Sequence, residues 1–221
     1  RMLVFAPYTV QEAVDIVYDA PEYAERDRSP VMILMDGCLG TMMEEVKLPP
    51  LKELPESPCK RWTVGYDGTK RGGHLITPIY PEAGLEGKNK LAVQRTKRWE
   101  ENDVRVEEFM VEDAEWVIVA YGISARVAKQ VVIDLREEGI KLGLIRPITL
   151  WPFPYKALHD AAVAPGVKAV LDVELNAGQM LEDVKLAVNG EQKVDFFGHY
   201  GSQMPTPEEI KAKLLSMREV L

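Results

Sequence analysis

Residues 116–124 read WVIVAYGIS, and this stretch decides the fold class. Trp116–Tyr121 is almost entirely apolar, which predicts a strand buried on both faces of a parallel sheet. Gly122 lets the chain turn, and Ser124 is predicted to cap a helix that runs to about Glu138. Alternation of strands and helices of this kind is typical of α/β domains.

The same alternation continues to the end of the chain. Gly139 is predicted to end the helix, strands are predicted at 140–145, 167–173 and 194–197, and helices at 155–162 and 179–187. A last helix is predicted from Thr206-Pro207-Glu208-Glu209, which combines a cap, a proline and a capping glutamate. Residues 146–154, RPITLWPFP, are predicted to form a rigid connection. The pattern predicts one α/β domain over 113–221 on a parallel sheet covered on both faces.

Residues 1–46 predict a single βαβ unit: a strand at 2–6, a helix at 10–28 and a strand at 31–35. Thr9 and Glu12 form a capping box at the helix start, whereas Pro21 predicts a kink or break near Ala20. The apolar strand Val31–Met35 is expected to be buried on both faces. So small a unit needs a partner, and its opening in mid-strand leads us to expect a piece of a longer protein.

Residues 47–112 predict a linker. Its first part, 48–58, is rich in proline and favours an extended chain. Gly65 and Gly68 add further turn signals, and Gly72-Gly73-His74 either binds an anion through backbone amides or is a plain turn. Residues 85–113 are polar, with spaced apolar positions, and are interpreted largely as helix.

Composition narrows the classes of function. The net charge of −8 over 221 residues argues against nucleic acid or an anionic membrane as the main partner. No apolar run reaches the roughly 18 residues that a spanning helix needs, and Met2–Pro7 is too short for a signal peptide. Cys38 and Cys59 are interpreted as reduced thiols of a cytoplasmic protein. The three histidines lack metal-ligand spacing, so no metal site is predicted.

Seven residues are candidates for binding because they follow predicted strands, where open α/β sheets place ligands. They are Asp36, Gly37, Gly122, Ser124, Glu174, Asn176 and Gln179. The turn at Gly122 and Ser124 is either structural or a helix N-terminus that docks a partner or a phosphate. Glu174, Asn176 and Gln179 could form a polar ligand site, an interface or simple caps. Asp36 and Gly37 either face a ligand or form a turn out of the sheet.

Five segments, in one order along nearly the whole chain, carry a resemblance to a known family. They are residues 6–12 (APYTVQE), 29–31 (SPV) leading to 36–44 (DGCLGTMME), 117–126 (VIVAYGISAR), 143–154 (GLIRPITLWPFP) and 174–180 (ELNAGQM). As a set they resemble the α-type subunit of 2-oxoacid:ferredoxin oxidoreductases. The 2-oxoisovalerate (branched-chain) members are favoured, with 2-oxoglutarate members as the alternative.

The resemblance implies that residues 1–46 end a thiamine-pyrimidine-binding domain and that residues 113–221 form a transketolase C-terminal-like domain. It implies a thiamine-diphosphate enzyme that oxidatively decarboxylates a 2-oxoacid to acyl-CoA and reduces ferredoxin. A β-type subunit would hold the diphosphate and Mg²⁺, and a ferredoxin-like subunit would carry [4Fe–4S] clusters. The family's catalytic motifs lie upstream of Arg1, so no catalytic or cofactor-binding residue is carried over.

This chain alone is therefore expected to be inactive, to bind no cofactor and to brace the assembly, with the exposed sheet edge of residues 1–46 favouring a dimer. Two departures from the family pattern stand out. Pro21 lies where relatives have an uninterrupted helix, and Thr41 stands where the family usually shows glutamine. The alternative of a different class is a free-standing, non-catalytic interaction module of the transketolase C-domain type.

Overall fold

The structure, a computed structural model, describes residues 1–53, 84–201 and 203–220. The sequence-based predictions for Cys59, for the glycine turns at 65–73 and His74, and for most of the proline-rich stretch 48–58 lie outside these residues. Within the described residues, no helix is long and apolar enough to cross a membrane. The chain divides into two units, Arg1–Lys47 with Trp99–Leu221, and Leu48–Arg98.

Eight strands and seven helices lie in the described residues. The strands are β1 (Leu3–Phe5), β2 (Val31–Ile33), β3 (Val106–Phe109), β4 (Trp116–Ala120), β5 (Leu142–Pro147), β6 (Thr149–Trp151), β7 (Ala169–Glu174) and β8 (Val194–Gly198). The helices are α1 (Val10–Asp27), α2 (Gly37–Thr41), α3 (Gly84–Asn102), α4 (Gly122–Glu137), α5 (Tyr155–Ala162), α6 (Gln179–Val188) and α7 (Pro207–Val220).

The larger sheet has five strands in the order β3-β5-β4-β7-β8. Four strands of this sheet, β5, β4, β7 and β8, run parallel, as predicted, while β3 pairs antiparallel with β5 at one edge. One face packs through Ile118 and Leu171 against α4 and α7, and the other through Val119 and Val170 against α5 and α6. The predicted α/β fold with a sheet covered on both faces is therefore confirmed.

The smaller sheet explains how the βαβ unit of residues 1–46 is completed. Its order is β2-β1-β6, so the third strand comes from residues 149–151, within the stretch predicted to be only a rigid connection. That prediction was incomplete, because β6 pairs antiparallel with β1. The Ala6 amide also donates to the Ile148 carbonyl at 2.8 Å. The unit thus finds the partner it needs in the second half of the chain.

Two predictions about residues 1–46 were wrong. Helix α1 runs unbroken through Pro21. Proline removes only one hydrogen bond, to the Val17 carbonyl, and Val17 is 53% exposed, so water can satisfy that group. The strand predicted at Val31–Met35 is shorter and is not buried on both faces: Met32 is 43% exposed. Among the described strands, β2 has a neighbour on one side only, β1.

Two local predictions elsewhere need the same kind of correction. Helix α3 ends at Asn102, and residues 106–109, interpreted as helix, form β3 because they pair with β5. Ser124 does not cap α4, which begins two residues earlier with Tyr121 at the cap position and no side-chain cap. In contrast, the start of α7 is confirmed, with the Glu209 amide 3.2 Å from the Thr206 hydroxyl.

Candidate functional site

Asp36 joins the βαβ unit to the first helix of the larger domain. Its Oδ1 accepts a hydrogen bond from the Leu39 amide at 2.8 Å and so caps α2. Its Oδ2 accepts one from the Ile123 amide at 2.9 Å, in the first turn of α4. The helix N-terminus that was a candidate for a phosphate or a partner is thus contacted by a carboxylate of the same chain. A negative group is favoured there by the helix dipole.

Gly122 lies against this carboxylate. Its φ of +55° belongs to the left-handed region, and a Cβ built on it would lie 2.9 Å from the Asp36 Oδ2. Only glycine combines this backbone conformation with so close an approach. Gly37, the other candidate glycine, has no atom within 4 Å of such a Cβ.

Replacing Gly122 with alanine is expected to lower the free energy of unfolding by about 1–3 kcal/mol, because the φ is strained and the Asp36 contact must open. Chemical denaturation of the full chain measures this loss. Gly37→Ala is the matched control and is expected to change stability little. Equal losses for the two variants would contradict the assignment of the effect to the Asp36 contact.

Glu174 organises the loop that follows β7. The side chain is completely buried, and its oxygens accept hydrogen bonds from the amides of Met180 (2.9 and 3.0 Å) and Leu181 (3.0 Å). Asn176 Nδ2 donates to the same carboxylate at 2.9 Å, while Asn176 Oδ1 accepts from the amides of Gly178 and Gln179. The three candidates of this loop therefore lie together, and Glu174 and Asn176 bind the backbone at the start of α6.

Tyr121 lies close to both groups of candidates. Its hydroxyl accepts a hydrogen bond from Asn176 Nδ2 at 3.2 Å. Burial, followed by the charges of Glu174 and Asp172, raises the pKa of Tyr121 to about 12, and Asp36 adds a smaller effect in the same direction. The phenol is therefore neutral at physiological pH. Ser124 is 2% exposed, and its hydroxyl has no hydrogen-bond partner among the described residues.

Sequence reasoning missed Asp172, two residues before Glu174 on the same strand face. The side chain is fully buried in β7. Burial, followed by the neighbouring carboxyl group of Glu174, raises the pKa of Asp172 to about 9. A signal was present in the sequence, since an acidic residue inside the apolar strand AVLDVE is unusual without a partner.

Sequence reasoning also missed a buried ionic cluster around Arg146, which is 3% exposed. The guanidinium donates to both oxygens of Glu12 on α1 at 2.9 Å and to Glu107 on β3 at 2.6 Å. It also lies 3.8 Å from the centre of the Tyr8 ring. Lys129 of α4 donates to Glu107 as well. The cluster joins the βαβ unit to the larger domain.

The side chains at this edge of the larger sheet are arranged to hold loops in place and not to catalyse a reaction. The carboxylates of Asp36 and Glu174 accept hydrogen bonds from backbone amides of their own chain. Among the described residues there is no group of three His, Cys, Asp or Glu side chains that could hold a metal ion. The Nδ1 of His159 lies 3.0 Å from the Ala187 carbonyl, and the Nε2 of His199 lies 3.2 Å from Glu209.

A cleft of about 710 Å³ lies elsewhere, along the β6–α5 connection. Trp151, Phe153 and Tyr155 form much of its wall. None of the seven candidate residues lines it, so the cleft and the candidate site are separate features.

Comparison with known families agrees with this architecture. Residues 1–113 match the family described as pyruvate flavodoxin/ferredoxin oxidoreductase, thiamine diphosphate-binding, and residues 114–210 match core domain II of pyruvate:ferredoxin oxidoreductase. The chain belongs to the pyruvate flavodoxin/ferredoxin oxidoreductase family. The predicted resemblance to 2-oxoacid:ferredoxin oxidoreductases is therefore confirmed.

Individual relatives show which members of this family the chain is similar to. The chain is 41% identical to the ketoisovalerate oxidoreductase subunit VorB of Methanothermobacter marburgensis, over 97% of this chain and 60% of the relative. It is 39% identical to the VorB subunit of Methanothermobacter thermautotrophicus, also over 60% of that protein. The 2-oxoglutarate synthase subunit KorA of Methanocaldococcus jannaschii is 30% identical, over 63% of its length. The chain thus spans about three fifths of these curated relatives.

Solved structures support the fold. The 2-oxoglutarate:ferredoxin oxidoreductase of Magnetococcus marinus, with 2-oxoglutarate, coenzyme A and succinyl-CoA bound, is 22% identical, with a TM-score of 0.71 over 97% of this chain and 42% of that one. A split-gene transketolase is 17% identical, with a TM-score of 0.54 over 97% of this chain and 56% of that one. Both confirm the fold alone.

Proposed function

We propose that this chain is part of the α-type subunit of a thiamine-diphosphate-dependent 2-oxoacid:ferredoxin oxidoreductase. The favoured substrate is 2-oxoisovalerate, which would be converted with coenzyme A to the acyl-CoA and CO₂ while two electrons pass to ferredoxin. The observation that carries the proposal is the 41% identity to a ketoisovalerate oxidoreductase subunit, against 30% for a 2-oxoglutarate synthase subunit. Those relatives are themselves subunits of larger enzymes.

Within this enzyme, residues 99–221 together with 1–47 would brace the assembly rather than perform the chemistry. Support comes from Asp36 and Glu174, whose carboxylates hold backbone amides of their own chain. We assign no catalytic step to the described residues. In this cytoplasmic complex, a β-type subunit would bind the diphosphate and Mg²⁺, and a ferredoxin-like subunit would bind the [4Fe–4S] clusters.

The division into a pyrimidine-domain end (1–46), a linker (47–112) and a transketolase C-terminal-like domain (113–221) stays a prediction.

The association of two copies of this chain into a dimer also stays a prediction. Strand β2 lies at the edge of the sheet that the described strands form, and the side chains of Met32, Leu34 and Met35 around it are 41–44% exposed, which supports self-association through this edge. Sedimentation of the complete complex and of the chain would test it, and a monomer at all concentrations would refute it.

Turnover by the complete complex tests the proposal. With ferredoxin as acceptor, the rate with 2-oxoisovalerate is expected to exceed those with 2-oxoglutarate and pyruvate by at least about tenfold, because one misfit in a pocket costs roughly 1–3 kcal/mol. Preference for 2-oxoglutarate would favour the alternative member of the family. Absence of activity with every 2-oxoacid would favour the non-catalytic interaction module.

The chain alone provides a second test. We expect no tight binding of thiamine diphosphate with Mg²⁺ to this chain in calorimetry, while the complete complex binds it. Tight binding by the chain alone would refute the assignment of the diphosphate site to the partner subunit.

A further inference from the structure

Asp172 occupies an unusual position for an acidic residue. It lies in the interior strand β7, paired with Val119 of β4 on one side and Phe196 of β8 on the other, and it is completely buried. No N–H or O–H group among the described residues donates to either of its oxygens. An ionised carboxylate without a donor in such a place is strongly disfavoured, so the group must lose its charge or find a partner.

Glu174 is that partner. Residues two apart on a strand face the same side of the sheet, so the two carboxyl groups share one buried face. Glu174 accepts hydrogen bonds from the amides of Met180 and Leu181 and from Asn176, all of which favour its charged form. Glu174 thus has three donor groups, whereas Asp172 has none among the described residues. Two carboxyl groups can hydrogen-bond to each other only if one of them keeps its proton.

We propose that Asp172 is a neutral carboxylic acid that donates its proton to Glu174, and that this acid–carboxylate pair is a pH-sensitive device that holds the loop 174–181 in one conformation. The proton of Asp172 supplies Glu174 with one further hydrogen-bond donor, beside those that the loop amides supply. Loss of that proton places two negative charges side by side on a buried face.

The surroundings of Asp172 favour the protonated form. The other groups that act on its charge are Glu174 on its own strand, which raises the pKa, and Lys185 of α6, which lowers it slightly. Tyr121, after β4, is a neutral phenol. The rest of this face is apolar, with Leu158 from α5, Val184 from α6 and Val194 from β8. Burial comes first among the causes that bring the pKa of Asp172 to about 9.

The loop that the pair holds reaches the neighbouring elements. Asn176 contacts both Glu174 and Tyr121, and the latter precedes the Gly122 turn against Asp36. Ionisation of Asp172 would repel Glu174 from the amides at the start of α6. We therefore expect ionisation of Asp172 to loosen residues 174–181 first, before the chain as a whole unfolds.

A comparison of the full chain with its Asp172→Asn variant tests the proposal. The amide of asparagine has nearly the same shape and donates to Glu174 at every pH. A carboxyl group whose pKa is raised on folding weakens the folded state as pH rises from its unfolded pKa, about 4, to its folded one. The unfolding constant of the natural chain should thus grow relative to the variant by up to about tenfold per pH unit until about pH 9, and then level off. Chemical denaturation measured across this range gives the ratio.

Parallel stability profiles for the two proteins between pH 5 and 9 would overturn the proposal. Carbon-13 NMR of the natural chain, labelled at aspartate, gives an answer that does not depend on any variant. One aspartate carboxyl resonance should keep its protonated shift at pH 7 and titrate only near pH 9. If every aspartate carboxyl titrates near pH 4, Asp172 is an ordinary ionised group and the device does not exist. The related change Glu174→Gln should move the titration of Asp172 to lower pH, because the neighbouring charge is gone.

Discussion

Replacing Arg146 with methionine is expected to lower the free energy of unfolding of the chain by about 3 kcal/mol, near the lower end for breaking a buried ion pair. Methionine keeps much of the length and apolar volume of the side chain, so the loss reports the charge. Without the guanidinium, Glu12 and Glu107 lose three hydrogen bonds of 2.6–2.9 Å. The two carboxylates keep some contact with water, at 19% and 23% exposure, which moderates the loss. Urea denaturation at neutral pH measures it.

The same cluster sets a pH dependence. Burial alone would raise the pKa of Glu107, but hydrogen bonds from Lys129 and Arg146 hold it below its ordinary value. A carboxyl group with a lowered pKa stabilises the fold above its unfolded pKa, and this contribution is lost as pH falls through the folded value. The natural chain should therefore lose stability below about pH 4.5, and Arg146→Met should show less of this loss.

Arg126→Met is the matched control for Arg146→Met. Arg126 also joins the βαβ unit to the larger domain, through an ion pair with Glu44 at 2.6 Å, but this pair is open to solvent, with side-chain exposures of 39% and 29%. Exposed pairs contribute little, so the control is expected to change stability only slightly. Equal losses in the two variants would mean that burial of Arg146 is not the reason for its effect.

Replacing Trp99 with alanine is expected to cost about 3–5 kcal/mol of unfolding free energy, the range for removing a large buried aromatic side chain. Trp99 is 1% exposed and packs with Leu3, Phe5 and Ile16 in the core of the smaller sheet. Its ring meets that of Trp151 edge to face at 5.6 Å. The cavity would therefore open against the side chains of β1 and β6, the paired strands that join the two halves of the chain. Thermal and chemical denaturation both report the loss.

Trp99→Phe separates packing from hydrogen bonding. The indole Nε1 donates to Asp27 at 2.7 Å, and Asp27 also accepts from Arg26, so the carboxylate keeps a donor when the indole is gone. We expect Trp99→Phe to lose less than half as much stability as Trp99→Ala, because an aromatic ring remains in the core. A loss as large as that of alanine would show that the contact with Asp27 dominates.

Local patterns in the sequence were sufficient for most of the larger domain. Strands β4, β5, β7 and β8 were recognised because each is a short apolar run that ends in a turn signal. The start of α7 was recognised because Thr206, Pro207 and Glu209 act on the backbone within one helical turn. Such signals depend only on residues that are close in the chain, so they predict helices and strands without knowledge of the fold.

The predictions that were wrong or incomplete depended on the tertiary structure and not on neighbours in the chain. Residues 149–151 became a strand only because β1 lies beside them, and Val31–Ile33 stayed half-exposed at an edge of the sheet that the described strands form. Pro21 was tolerated because its freed carbonyl partner lies in an exposed turn. In each case the outcome depends on residues more than a hundred positions away or on access to water.

The candidate site shows the same division. The sequence alone was enough to place Asp36, Gly122 and Asn176 after strands, and Glu174 within one residue of the end of its strand, and hence at the carboxyl edge of a sheet. Only the tertiary structure decided what they do there: Asp36 contacts the N-terminus of α4 from 87 residues away, and Glu174 binds the backbone at the start of α6. The reason is physical. The secondary structure of a residue follows largely from its neighbours in the chain, whereas the charge and the hydrogen-bond partners of its side chain follow from the groups that the fold places beside it.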